Sequence, residues 1–221
     1  MIQERLLEIY EILLCEFGRQ NWWPGDSRFE IAVGAILTQN TNWNNVEKAI
    51  NNIKAENMLS PESLYKCPEE KLTELIRPAG YFNVKAKRLK AFLKWLIENH
   101  GADIDSLESI YAGDLREELL SIKGIGRETA DSIILYCLDK PSFVVDAYTA
   151  RIFIRHQFID QTADYEQIKE LFEGALPEES KLYNEYHALI VQLGKNYCKK
   201  RKPLCDECPL GHLPRSLEEE Y

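Results

Sequence analysis

Apolar side chains recur at three- and four-residue steps through almost the whole chain, and that period admits helices and little else. Leu6, Leu7, Ile9, Tyr10, Leu13 and Leu14 form the first stripe. "DSRFEIAVGAIL" opens on Ser27 with Glu30 three residues later, the spacing of a capping box. "NWNNVEKAINNI" continues as another helix. "SPESLYKC" and "PEEKLTELI" begin with a cap-like residue or a proline in the first turn. "NVKAKRLKAFLKWLIENHG" is long and stops at Gly101. "AGDLREELLSIKG", "RETADSIILYCLDK", "DAYTARIFIRHQF", "DYEQIKELFEGAL" and "SKLYNEYHALIVQLGKNYC" complete the set. "SFVVD", ending at Asp146, is the only strand-like run; it joins two helices directly and reads as a linker. The expected class is all-α. Pro24-Gly25 and "KPSFV" are the natural crossings between lobes, which sets a six-helix lobe over 25–141 and a second lobe from 1–24 plus 142–221.

The 221 residues are 45% apolar, enough for a real core. No apolar run approaches the roughly 18 residues of a membrane span. "MIQERLLEIYEILL" carries acids inside its stripe and reads as an amphipathic helix, not a secretory leader. A soluble cytoplasmic chain is expected, with no membrane partner. A net charge of −9 speaks against a general nucleic-acid binder, but local charge decides such contacts. Two basic clusters stand out, "KAKRLK" (85–90) and "KNYCKKRK" (195–202). The plain reading of both is a solvated helix face; the second lies among cysteines.

"ELLSIKGIGRETADSIIL" fits a helix, a tight turn and a second helix, with Gly124 and Gly126 where bare backbone or positive φ is needed. Free N–H groups at a helix start attract anions. No strand precedes the turn and no P-loop Lys-Ser/Thr follows it, so a phosphodiester suits it better than a nucleotide. Some twenty residues on, Asp146 stands at the start of a helix, where an Asp N-cap alone is common.

The turn followed by "VVD" and a helix resembles the endonuclease III-like helix-hairpin-helix DNA glycosylases, the HhH-GPD superfamily, over nearly the full length. The resemblance implies a two-lobed glycosylase fold with a C-terminal cysteine-ligated metal loop. It implies that Lys123, Gly124, Ile125 and Gly126 bind a DNA phosphate through backbone amides, with a monovalent cation at the hairpin, and that Asp146 is catalytic. Bifunctional members carry a lysine two residues past the second hairpin glycine. Glu128 stands there in this chain and cannot form a Schiff base, which predicts a monofunctional enzyme. Asn40 matches the wedge that fills the gap behind a flipped base, with Gln39 beside it. Trp43, Trp22 and Trp23 are expected to line the base pocket.

More narrowly, "WWP", "AVGAILTQNT", "RPAGYFNVKAKRL" and "KGIG…AD…VVD" resemble the 3-methyladenine DNA glycosylases of that branch. A cationic 3-methylpurine has a weakened glycosidic bond and suits an aromatic pocket. The expected partner is duplex DNA with a damaged base, met by a monomer. The alternatives are an oxidised-pyrimidine or mismatch glycosylase of the same fold, a non-catalytic DNA-binding module, and a zinc-stabilised scaffold that does not touch DNA.

Cys15, Cys67 and Cys137 lie in apolar helical settings and are expected to be buried and inert. Cys198, Cys205 and Cys208 form C-x6-C-x2-C, which in a cytosolic protein means metal. The family continues with x5-C and holds a [4Fe–4S] cluster whose basic loop, here Lys199, Lys200, Arg201 and Lys202, meets DNA phosphate. Position 214, where the fourth cysteine would stand, is Pro. Three outcomes are open: a cluster on three thiolates with His212 as the nearest further ligand, zinc as Cys₃His, or a degraded site that keeps the loop.

Overall fold

A computed structural model describes residues 2–216, and among them no strand occurs. Eleven α-helices are found: α1 (Ile2–Phe17), α2 (Arg28–Leu37), α3 (Trp43–Ala55), α4 (Pro61–Lys66), α5 (Glu69–Leu75), α6 (Phe82–His100), α7 (Ala112–Ser121), α8 (Arg127–Ser132), α9 (Ala147–Arg155), α10 (Tyr165–Glu173) and α11 (Ser180–Asn196). The chain divides into Trp23–Lys140 and a second unit of Met1–Trp22 with Pro141–Tyr221.

The Trp23–Lys140 unit is built around α2. From Phe29 to Leu37 all but one of its residues are buried, so it is a central helix and not an amphipathic surface one. Its start follows the expected cap: Ser27 Oγ accepts from Glu30 N at 3.2 Å. The returning half of the box differs, because Glu30 Oε2 accepts from Asp26 N at 3.2 Å. Seven α-helical segments, α2 to α8, lie in this unit, and "SPESLYKC" and "PEEKLTELI" form two of them, as their separate starts predict. Pro68 divides them. It forces Cys67 into an extended conformation (φ −58°, ψ 131°) and separates α4 from α5. A second difference follows α8, where Ile133–Cys137 widens into a π turn. Every residue of "IILYCL" is buried. With no polar face, the sequence has no stripe by which to distinguish the two helical pitches.

In the other unit α11 packs on α1 and α9. Tyr186 anchors this packing by donating to Leu6 O at 2.7 Å. The linker Ser142–Val145 is extended, buried and unpaired to any strand. Side chains satisfy its backbone instead: Phe143 N donates to Glu173 Oε1 at 2.8 Å, and Lys169 Nζ donates to Phe143 O at 3.3 Å. Phe143 also stacks on Phe172 at 3.9 Å between ring centroids. Cys67 and Cys137 are buried as expected, but Cys15 is exposed. On α1 the buried stripe is Leu6, Ile9 and Leu13, and a step of two residues past Leu13 turns about 200° away from it.

Candidate functional site

The α7–α8 hairpin turns at Gly124, whose φ of +95° lies in the region open to glycine. A Cβ there would also collide with the stem of Arg88. Ile125 is buried and its N–H donates to Ile122 O at 3.0 Å, so the turn is pinned by its middle residue. Lys123, Gly124, Gly126 and Glu128 are exposed. Gly126 caps α8 in an extended conformation and has no side chain to make a capping bond. Behind the turn, Asp131 is fully buried and takes Arg116 of α7 in a two-pronged pair, 2.8 Å from Nε and 3.2 Å from Nη2.

Gln39 and Asn40 separate in role. Gln39 Nε2 donates to Thr129 Oγ1 at 2.9 Å and to Gly124 O at 3.2 Å, and its Oε1 accepts from Arg88 Nη1. It is a strut between the α2–α3 loop and the hairpin, not a side chain held out to a ligand. Asn40 is the exposed tip, with φ +53°. The same loop is held from beneath by Lys85, which donates to Leu37 O and Ala79 O at 2.7 Å each and to Thr41 Oγ1 at 3.0 Å.

The three tryptophans are divided between the two units. Trp23 meets Trp43 edge-on at 5.1 Å and Tyr136 at 4.9 Å, giving an aromatic wall in the Trp23–Lys140 unit. Trp22 belongs to the other unit, where Lys195 Nζ stands 5.6 Å over its ring. Tyr136 is absent from the sequence-based set because it sits in an unbroken apolar run with nothing local to mark it.

Asp146 is the N-cap of α9. Its Oδ1 accepts from Tyr148 N at 2.9 Å, Thr149 N at 2.8 Å and Thr149 Oγ1 at 3.0 Å. Its Oδ2 stands 3.7 Å from Nε2 of the buried His187 of α11. Burial, reinforced by Lys195 and opposed by Asp146, holds His187 below the ordinary imidazole range. The carboxylate is thus fixed through Oδ1, with Oδ2 turned to His187.

Cys198, Cys205 and Cys208 line one recess together with Arg155, His156, Tyr197, Gly211 and Arg215. Arg155 Nη1 lies 3.3 Å from Cys198 Sγ, and the same guanidinium donates to Lys199 O at 2.7 Å and Lys200 O at 3.0 Å. Those bonds hold the loop by its backbone, leaving the side chains of Lys199, Lys200, Arg201 and Lys202 exposed. Gly211 is required, because a Cβ there would strike the carbonyls of Cys205 and Cys208. His212, the expected further ligand, is exposed and does not line the recess. His156, which sequence proximity does not suggest, does line it, and burial holds it below the ordinary imidazole range. Among the described residues no three His, Cys, Asp or Glu side chains are grouped for a single metal ion, which gives the zinc alternative no support. A four-iron cubane holds its thiolates further apart than one ion does, so three cysteines around a recess fit the cluster.

Known proteins bear on all of this. Residues 33–178 match the HhH-GPD superfamily base excision DNA repair protein family, and residues 198–213 match the iron-sulfur binding domain of endonuclease III. The second match supports an iron–sulfur cluster and speaks for neither zinc nor a monovalent cation. A Methanocaldococcus jannaschii protein provisionally named a DNA repair glycosylase is 54% identical over 214 residues, covering 94% of each chain. The fold matches an endonuclease III in non-covalent complex with DNA at a TM-score of 0.82, with 21% identity and 96% and 95% of the two chains covered. The H. pylori 3-methyladenine DNA glycosylase bound to 1,N6-ethenoadenine follows at a TM-score of 0.74, with 28% identity over 88% of this chain and 97% of that one. This chain belongs to the HhH-GPD superfamily of base excision DNA repair glycosylases, with an endonuclease III-type iron–sulfur binding loop at its C-terminal end.

Proposed function

We propose that the chain is a monofunctional DNA glycosylase that removes an alkylated purine such as 3-methyladenine. The observation that carries this is the bonding of Asp146, with Oδ1 saturated by α9 and Thr149 and Oδ2 turned to a histidine that burial keeps neutral. As the glycosidic bond breaks, its electron pair leaves with the base and positive charge grows on the sugar. A carboxylate that is already oriented stabilises that charge without reorganising. Water then adds to the sugar carbon and loses its proton, leaving an abasic site. A cationic leaving base needs little protonation, so one carboxylate suffices.

The remaining parts follow the same reading. The amides of Gly124 and Gly126 take a phosphate, Lys123 adds charge, and Asn40 enters the duplex as the base flips out. Trp23, Trp43 and Tyr136 offer π faces to a cationic purine. Glu128, exposed at the start of α8, offers no amine to the abasic sugar. The cluster, when bound, is a stable inorganic core that fixes the basic loop.

A panel of duplexes tests this, carrying 3-methyladenine, an oxidised pyrimidine or a mismatched thymine. Release of free alkylpurine is expected, with no borohydride-trapped adduct. Asp146→Asn should lower release at least about 100-fold while leaving the melting temperature near wild type, since Asn caps a helix about as well as Asp. Full activity in that variant refutes the assignment. Release of a pyrimidine moves the chain to the oxidised-base or mismatch enzymes, and salt-dependent binding without any release makes it a binding module.

A further inference from the structure

We propose that His156 supplies the fourth protein ligand of the iron–sulfur cluster, completing a set with Cys198, Cys205 and Cys208. This rests on the reading that the loop holds a four-iron cluster. Proline at 214 has no side-chain donor, so the chain must close the set from elsewhere or leave one iron to solvent. His156 stands against that position: its Nδ1 is 3.1 Å from Pro214 O. A carbonyl only accepts, so Nδ1 carries the proton and Nε2 keeps its lone pair. A ring N–H given to a backbone carbonyl is the usual arrangement behind a metal-bound imidazole, fixing tautomer and orientation before the metal arrives.

The rest of the lining offers no competitor. Arg155 and Arg215 stay protonated and cannot ligate. Tyr197 Oη is turned to Glu16 Oε1 at 3.4 Å. His212 is exposed and outside the recess. His156 is 7% exposed, and it is set in place by α9, with its N–H donating to Ile152 O at 3.0 Å. The chain just past Pro214 is pinned to the end of the same helix, Ser216 N donating to Arg155 O at 2.8 Å. The segment that would carry the missing cysteine and the end of α9 are therefore tied together, and a ligand on either can serve the same iron. A neutral imidazole in place of a thiolate makes the cluster one charge less negative, which raises its potential.

The test uses the full chain labelled with ¹⁵N-histidine, reconstituted anaerobically with iron and sulfide, with iron and sulfide assayed. Electron–nuclear double resonance of the paramagnetic cluster should show a strongly coupled nitrogen that follows the label. His156→Ala should lose that coupling and convert to a three-iron signal on mild oxidation. His212→Ala should keep it. His156→Cys should hold a full cluster at a lower potential with no nitrogen coupling. A wild-type cluster without histidine coupling, or coupling that survives in His156→Ala or vanishes in His212→Ala, overturns the proposal; the labelled wild type decides even where a variant fails to fold. A wild-type protein that takes up no iron and sulfide, or one zinc instead, refutes the cluster itself, and iron and sulfide assay tells that failure from the first.

Discussion

The two basic clusters look alike as strings and have opposite fates. In "KAKRLK" three of the four cations turn inward, and Lys87 alone of them is exposed. Lys85 is 1% exposed and ties Leu37 and Ala79 carbonyls to Thr41. Arg88 braces Gln39. Lys90 donates to the carbonyls of Leu64, Tyr65 and Cys67, closing the C-terminal end of α4. In the 199–202 stretch the backbone is held by Arg155 and the side chains are exposed. The difference lies in what each cluster must neutralise. The first sits on an amphipathic helix beside helix ends with orphan carbonyls. The second lies on a loop where Arg155 already takes the carbonyls of Lys199 and Lys200.

The sharpest way to break this contrast is Lys85→Met. It strands the Leu37 carbonyl and leaves Ala79 O with the Thr41 hydroxyl as its remaining donor, and should cost about 3 kcal/mol, read as a lower denaturation midpoint. A loss under 1 kcal/mol would return Lys85 to the solvated class. Lys90→Met uncaps α4 and should cost about 2 kcal/mol by the same measurement, because water can replace part of what it provides. Lys85 has a further signature in pH. Burial, with Arg88 adding to it, pushes its ammonium from 10.5 down to about 8. Above pH 8 the folded protein gives up a proton that the unfolded chain keeps until about 10.5. Stability from this group therefore rises across that window, by at most about 1.4 kcal/mol per pH unit. The gap between wild type and Lys85→Met should widen from pH 8 to pH 10, and a constant gap sinks the account.

What sequence reading could reach follows the same division between local and distant partners. The Gly101 stop of α6, the Ser27 cap and the Asp146 cap rest on residues within a turn of one another, and the structure shows each in place. The hairpin glycine was legible because its backbone demand is written in its own residue type. The strut role of Gln39 was not, since its partners Gly124 and Thr129 lie 85 and 90 residues away. The same holds for the metal loop. Spacing brought three cysteines to one recess, but nearness in sequence pointed to His212, whereas the recess is lined by His156, brought there through the end of α9. Tyr136 and the π turn escaped for another reason: an apolar run without a polar face specifies burial but neither pitch nor partner.

The smallest effect on stability, and the most telling about function, is expected in the loop. Arg155 bonds the carbonyls of Lys199 and Lys200, so the loop's path does not depend on its own basic side chains. Lys200→Ala and Arg201→Ala should each leave stability within about 0.5 kcal/mol of wild type. If these side chains meet phosphate, each should also lower the salt dependence of duplex binding, by about 0.9 in the slope of log affinity against log salt. Lys85→Met, measured where it is still folded, should leave that slope unchanged, because its charge faces backbone carbonyls and not DNA. A loop variant that loses stability but keeps its slope would invert the assignment, making the exposed cluster the structural one.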